Sequence, residues 1–341
     1  MTIQLLLTHL IQKNVAMSID GIGDKIELDA WVVLLAASGS SKTLTKKTVI
    51  NALGINDSLI WDTKAVSTAA FIEELCGNGE SPSNNRKMLM IDEFSEWFSK
   101  VRDSSGPMGD IYRVMLQMHD NESVGRKNTR GEWNCEKPVV SLFGLAPIKT
   151  FVDEVPEKDM FSGLMFRLSV VIAERDESRP MSKFPIYKLD LKTSRLKRML
   201  KSISHGEYIV TSTVQKTYNK IFKDVVGKSE TDMDAGFLRR VMWRMHKYAL
   251  AYHIILGDGG KKEISAAAYA WAGRLTERMI SDHAVLVHEM AHDLKRAMLK
   301  VEKLVEKHGR GISTRDIIAG VREIRTTGEA AAMKKIVLEG R

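Results

Sequence analysis

The chain has 341 residues, 44% of them apolar and 28% charged, which is typical of a globular protein large enough for two or three hydrophobic cores. Its longest apolar runs are about seven residues, too short to cross a membrane, so we expect a cytoplasmic protein with no membrane partner. Cys76 and Cys135 are the only cysteines. They form no C-x-x-C motif, which excludes a thiolate metal site.

The net charge of +8 is unevenly distributed. Residues 181–341 contain 31 lysines and arginines against 18 acids, whereas residues 1–180 contain 20 against 25. A basic C-terminal half predicts that a polyanion contacts that part of the chain. A solvated basic surface is the alternative interpretation.

A candidate phosphate-binding loop follows an expected N-terminal helix (1–14) and a turn near residue 20. A β-favouring run from Trp31 to Leu35 stops at small residues that lead into a helix expected over 43–53. In such a loop, backbone N–H groups surround the phosphates, a lysine neutralises their charge and a threonine ligates Mg²⁺. We expect ATP to be bound by Ser38, Gly39, Ser40, Ser41, Lys42, Thr43 and Leu44, with Lys42 as the lysine and Thr43 as the Mg²⁺ ligand. Ala36 and Ser41 replace the glycines of the form G-x-x-x-x-G-K-[ST], which predicts slow hydrolysis.

A second motif supports this interpretation. After a helix expected over Ser67–Leu75, the run Met88–Ile91 ends in Asp92 and Glu93. Four apolar residues followed by two acids predict a buried parallel strand that brings carboxylates to the ligand-binding edge of a sheet. Asp92 would hold hydrated Mg²⁺, and Glu93 would act as the general base toward water.

Three basic residues cluster in the polar stretch 119–137, which follows helices expected over 94–101 and 110–118. We interpret this stretch as a hairpin that binds nucleic-acid phosphates, or alternatively as a solvated turn. The basic residues are Arg126, Lys127 and Arg130.

Two further strands are expected, over 139–145 and 168–173. Near the first, Ser141 and Ala146 are the nearby options for a residue that senses the γ-phosphate. Arg167 precedes the second, and we expect it to act as an arginine finger on a neighbouring subunit's nucleotide. A surface arginine beside a strand is the alternative.

Helices dominate the rest of the chain, over about 189–202, 210–226, 233–256 and 265–307, with a break at 257–260. Short helices at the end suggest a helix-turn-helix module or a helical cap. We therefore expect a nucleotide-binding domain over 1–180, an all-helical domain over 181–298 and a small helical module over 299–341.

A competing motif lies in the long helix. His288-Glu289-Met290-Ala291-His292 matches H-E-x-x-H, which places two imidazoles one turn apart on a zinc ion. The third ligand is missing, because Glu302 and Glu306 are expected on the same helix. A zinc-dependent hydrolase is therefore the less favoured alternative.

The order of these motifs resembles a family of P-loop ATPases encoded by phages and mobile elements, often beside or fused to primases. The family is usually regarded as replicative helicase-like, of the RecA/AAA+ class. The resemblance covers roughly residues 25–295 and rests on STAAFIEELCGNG, MLMIDEF, SLFGLAPIKTF, SGLMFRLSVVIAERDESR, GFLRRVMWRMHKYALAYHI and the pair His283-Ala284. It implies that Ala36–Thr43 is the phosphate loop, Asp92 the Walker-B aspartate and Arg167 the arginine before a strand. The family's helical arginine corresponds to Arg239 or Arg240, with Arg244 one turn further on.

Together these features predict an α/β protein with a RecA-like P-loop core and a C-terminal all-helical domain. The expected function is a ring-forming, hexameric DNA helicase in phage or mobile-element replication, acting in the host cytoplasm. ATP and Mg²⁺ would be its cofactors, and single-stranded DNA and a primase its partners. The alternative is an AAA+-type ATPase that does not separate strands, such as a loader, a regulator or a packaging-motor subunit.

Overall fold

The computed structural model describes residues 2–37, 50, 59–77, 86–129, 131–160, 162–173, 199–201, 203–229, 233–321, 324 and 326–339. A few side chains within these ranges, Glu289 and His292 among them, lie outside the description. None of the described helices is both long enough and apolar enough to cross a membrane.

The chain is of mixed α/β type, built on a sheet of five parallel strands. These strands are β3 (Trp31–Ala36), β4 (Ile60–Asp62), β5 (Met88–Ile91), β8 (Ser141–Pro147) and β9 (Ser169–Ala173). Their order across the sheet is β4-β5-β8-β3-β9. The three predicted strands at 31–35, 88–91 and 139–145 and the one at 168–173 are confirmed.

Both faces of this sheet are covered, which explains why its central strands are apolar almost throughout. Trp31, Val33 and Leu35 of β3 pack on one face, whereas Val32 faces the opposite cluster with Leu5. The first face is covered by α2 (Thr68–Cys76), α3 (Phe94–Arg102), α4 (Ile111–His119) and α5 (Ile148–Glu154). Helix α1 (Thr2–Gln12), which carries Leu5, covers the other face. A short helix, α6 (Glu157–Met160), follows α5.

A second sheet joins the N-terminal segment to the helical region. In it, β1 (Ala16–Ile19) pairs parallel with β10 (Glu207–Val210) and antiparallel with β2 (Ile22–Ile26), so that β1 is the central strand. The expected turn near residue 20 connects β1 to β2, and Gly21 adopts a φ of 80° there. These three strands were not predicted, because four or five residues are too few to give a clear alternation.

The helical region contains three long helices, as expected. They are α7 (Ser212–Ser229), α8 (Ala235–His253) and α9 (Ala266–His308). A π-helical turn (Ile254–Asp258) follows α8, and Gly257 with a φ of 97° ends it, at the predicted break. One hydrophobic cluster contains residues of α1, β1, β2, β10 and these helices. Residues 2–28 therefore share a core with the helical region.

The last segment has a small core of its own. Helices α10 (Thr314–Gly320) and α11 (Thr327–Glu339) pack on the C-terminal part of α9 around Val301, Ile317 and Val337. Ser313 caps α10, because its side chain accepts a hydrogen bond from the backbone N–H of Asp316 at 3.1 Å. The same capping holds at Ser67, as predicted, where the acceptor lies 3.3 Å from the N–H of Ala70.

Candidate active site

The carboxyl edge of the five-stranded sheet brings the two predicted motifs together. Strands β3 and β5 run parallel, with β8 between them. Neighbouring strands lie about 4.8 Å apart, so the ends of β3 and β5 are about 10 Å apart. The candidate loop begins directly after β3, and its residues Ser38, Gly39, Ser40, Ser41, Lys42, Thr43 and Leu44 lie outside the described ranges.

The sheet reverses its winding direction at β3. From β3 the chain passes to the edge strand β4, and then returns through β5 and β8 before crossing to β9 on the far side of β3. The connections that leave β3 and β8 therefore run in opposite directions. In open parallel sheets, ligands bind at such a switch point, outside the carboxyl ends of the strands.

Asp92 and Glu93 are exposed at the end of β5, whose four residues are all buried. Glu93 has φ 57° and ψ 48°, a left-handed conformation that costs a non-glycine residue about 1 kcal/mol or more. It occupies the N-cap position of α3, but its side chain makes no capping hydrogen bond. The backbone thus turns sharply to present this carboxylate at the sheet edge, at a cost in stability.

An aromatic stack holds this turn in place. Phe94, which follows Glu93, is 1% exposed and stacks on Phe98 and Phe151, with ring centroids 5.8 and 6.4 Å away. Gly144 of β8 leaves room for the Phe94 ring, since a Cβ atom at Gly144 would lie 2.6 Å from it. Residue 144 pairs with Ile91 of β5, directly before Asp92. The position of the two carboxylates therefore depends on the packing of Phe94 over Gly144.

A cleft of about 570 Å³ opens beside the carboxylates, toward β4 and away from β3. Among the described residues, the charged side chains that line it are Lys100 and a set of acids. The acids are Asp62, Asp92, Glu93, Glu96 and Asp103. A triphosphate near this edge would meet negative charge, so its neutralisation requires a cation from the loop, from a metal ion or from another subunit.

These residues fit the requirements of Mg²⁺ only in part. The described residues contain no group of three or more His, Cys, Asp or Glu that could hold a metal ion. Mg²⁺, however, is usually bound by one or two protein oxygens together with substrate phosphates and water. Asp92 at the strand end and the hydroxyl of Thr43 supply the kind of donors that such a site uses.

Arg167 lies at the opposite edge of the sheet. It ends a 3₁₀ turn (Met165–Arg167) just before β9, whose first residue, Ser169, pairs with Val32 near the start of β3. Six residues of extended chain separate Arg167 from Ala173 at the carboxyl edge, a distance of about 20 Å. Arg167 therefore does not contact the site of its own subunit.

The side chain of Arg167 is 13% exposed and is held by partners within the chain. Its Nε donates to Asp120 Oδ1 at 3.1 Å, its Nη2 donates to Asp120 Oδ2, and its Nη1 donates to the Gly163 carbonyl at 2.9 Å. Asp120 Oδ1 also lies 2.9 Å from His119 Nδ1. Burial alone would raise the pKa of Asp120, but the hydrogen bonds from Arg167 and His119 hold the pKa of this carboxyl below its usual value.

Arg244 of α8 fixes the backbone at the same place. Its side chain is buried, and Nη1 donates to the carbonyl of Arg167 at 2.6 Å. Burial lowers the pKa of Arg244 to about 10, so it stays charged at neutral pH. Arg239 is exposed and Arg240 is half-buried on the same helix. Of these three helical arginines, Arg244 is the one that contacts the segment carrying Arg167.

The predicted hairpin is present. Strands β6 (Val124–Asn128) and β7 (Gly131–Cys135) pair antiparallel over their whole length. Arg126 lies 3.7 Å from Glu73 of α2, and Lys127 lies 3.1 Å from Glu132 across the hairpin. Arg130 lies outside the described residues. Both described cations thus have an acidic neighbour, although exposed pairs of this kind are weak.

Two minor sequence interpretations concern residues away from this edge. Ser141 is buried at the amino end of β8, where its Oγ accepts a hydrogen bond from the Ala30 N–H at 3.2 Å, so it is remote from any phosphate. His288 is exposed on α9, and the side chains of Glu289 and His292 are not described.

Asp120 and Gly144 were not singled out by sequence reasoning. Asp120 follows the last residue of α4, and only the fold shows that it faces Arg167, 47 residues away. Gly144 interrupts an otherwise apolar strand, and a glycine inside a strand is a signal of close approach that could have been used. Comparison with known proteins gives no family assignment: no protein-family model matches the sequence, and no curated protein matches it significantly.

Proposed function

We propose that the protein is a Mg²⁺-dependent ATPase with a RecA-like core, acting as an oligomeric motor on nucleic acid. The observation that carries this proposal is the position of Asp92 and Glu93. They end a buried parallel strand that lies one strand away from β3, and β3 leads directly into the Ser41-Lys42-Thr43 loop. The strand order, with β8 inserted between β3 and β5, supports the RecA/AAA+ class.

Each residue has a defined task in this proposal. Lys42 offsets the charge of the β- and γ-phosphates, and Glu93 orients a water molecule and accepts its proton. Thr43 and Asp92 would hold Mg²⁺, which when bound would neutralise phosphate charge. Because Ser41 stands where a glycine is usual, we expect turnover to be slow.

Arg167 acts on the nucleotide of a neighbouring subunit. Its distance from its own carboxyl edge supports a role in trans, and its pairing with Asp120 means that it must exchange this partner for a phosphate. Such a role requires an oligomer, and we propose a ring, most simply a hexamer.

The motor is proposed to be a DNA helicase of phage or mobile-element replication, working on single-stranded DNA with a primase as partner. An AAA+-type ATPase that does not separate strands shares the same site. The acidic neighbours of Arg126 and Lys127 favour this second candidate, because they reduce the positive charge of the hairpin.

Phosphate release measured with and without single-stranded DNA tests the proposal, together with a strand-displacement assay. A helicase shows stimulated turnover and displacement, whereas the second candidate shows turnover without displacement. Nucleotide binding with no phosphate release at any DNA concentration would contradict the ATPase proposal.

A further inference from the structure

The solvent face of α7 carries three exposed lysines, Lys216, Lys220 and Lys223. Residues at this spacing lie on one stripe of a helix. The opposite side of α7 packs into the core through Val214 and Val225, which are 7% and 2% exposed. The lysine stripe is therefore directed to solvent.

The charge of this stripe is not neutralised by neighbours. Among the described residues, none of the three lysines makes an ion pair or hydrogen bond. Asp224, adjacent to Lys223 in sequence, is the acid of α7 in the described part of the helix. The two described cations of the β6–β7 hairpin, by contrast, each lie near a carboxylate.

The stripe leads into a cleft of about 670 Å³ at the amino end of α7. Thr213, which lines the cleft, precedes Lys216 by three residues and so lies on the same side of the helix. Lys261 and Lys262 also line it, together with Glu263. Lys261 pairs with Asp258 at 2.7 Å, but Lys262 Nζ donates to the backbone carbonyls of Ser204 and His205, and no described carboxylate pairs with it.

An exposed aromatic side chain lies near α7. Trp243 of α8 is 44% exposed, and its ring centroid lies 5.3 Å from that of His246. His246 in turn stacks on Tyr218 of α7 at 4.3 Å. A positive path combined with an aromatic surface is the arrangement by which proteins hold single-stranded nucleic acid without reading its sequence.

We propose that this face of α7, with the cleft at its amino end, binds the phosphodiester backbone of a single-stranded nucleic acid. The inference rests on the proposed motor function and names its binding surface. Lys216 and Lys223 are about 10 Å apart along the helix, the length of about three stacked nucleotides. A membrane surface is disfavoured, because the apolar face that would enter the lipid is buried in the protein core.

The test measures binding of a fluorescein-labelled oligo(dT) by anisotropy, without nucleotide and at several salt concentrations. The triple variant K216Q/K220Q/K223Q is compared with K300Q/K303Q/K307Q, which removes the same charge at similar spacing from exposed positions on α9. Circular dichroism verifies that both variants are folded. We expect the α7 variant to bind about tenfold more weakly and its salt slope, log K against log[salt], to fall by about 2, with the α9 variant close to wild type.

Three results would overturn the proposal. They are equal loss in both triple variants, unchanged binding in the α7 variant, and binding of the wild type to phosphatidylserine vesicles but not to oligo(dT). Because the assay contains no ATP, it separates this inference from the ATPase proposal. Wild-type ATP turnover without oligonucleotide binding would reject the α7 surface alone, and lysine-dependent binding without turnover would reject the ATPase alone.

Discussion

At the residue scale, the two charged groups expected to act on one nucleotide lie at opposite edges of the same sheet. Glu93 is presented at the carboxyl edge by a left-handed backbone turn, and Arg167 is held at the amino edge by Asp120. One subunit therefore supplies the base and another the guanidinium. The Asp120 partner keeps the Arg167 charge satisfied before the subunits meet.

Mixing two inactive variants tests this division between subunits. We expect Arg167→Ala to lower turnover by about 10³ and Glu93→Gln to abolish it. In mixed oligomers, the Glu93→Gln subunit supplies Arg167 to an intact base on the Arg167→Ala subunit, so part of the phosphate release should return. If no ratio of the two variants restores turnover, Arg167 does not act in trans.

At the scale of elements, the contact between β8 and the start of α3 sets the position of both carboxylates. Gly144→Ala places a methyl group against the Phe94 ring and should destabilise the protein by about 1–3 kcal/mol, with reduced turnover. Urea unfolding and phosphate release measure the two effects.

Gly227 provides the matched control for this substitution. It lies in α7, where an added Cβ atom would meet no described atom within 4 Å, so Gly227→Ala should stabilise by about 0.5–1 kcal/mol and leave turnover unchanged. A Gly144→Ala protein with wild-type stability and turnover would show that the packing of Phe94 does not fix the site.

The elements that sequence predicted are those with long or strongly apolar patterns. The buried strand Met88–Ile91 and the long helix α9 are recognisable because burial on both faces, or a sustained helical period, leaves a clear signal. The strands β1, β2, β4 and β10 are three to five residues long, and most of their pairing partners are distant in sequence. Local patterns do not contain that pairing.

The candidate site follows the same rule. The carboxylates could be predicted because a strand end and two adjacent acids are local features. The pairing of Arg167 with Asp120, and the carbonyl contact from Arg244, depend on how α4 and α8 pack against the start of β9. Three-dimensional packing alone brings them together.

At the scale of the whole molecule, three buried histidines make stability sensitive to acid. Burial lowers the pKa of His119, His246 and His283 to about 4, from an ordinary value of 6.5. Between these values the unfolded chain binds more protons than the folded one. The free energy of unfolding should therefore fall by several kcal/mol as the pH drops from about 6.5 to about 4.

Urea unfolding at a series of pH values measures this dependence. His283 stacks on Phe237 and its Nδ1 has no hydrogen-bond partner among the described residues, so His283→Phe should remove about a third of the slope. A stability that does not change between pH 6.5 and 4.5 would mean that these histidines are accessible to protons in the folded protein.

The central claim is that Glu93 is the base of an ATP-hydrolysing site. Its most direct test compares wild type with Glu93→Gln for ATP affinity and for phosphate release in the presence of Mg²⁺ and single-stranded DNA. Glutamine is of nearly the same size but cannot accept the proton, so we expect ATP affinity to be unchanged and phosphate release to be lost. Phosphate release at the wild-type rate from the Glu93→Gln protein would contradict the assignment.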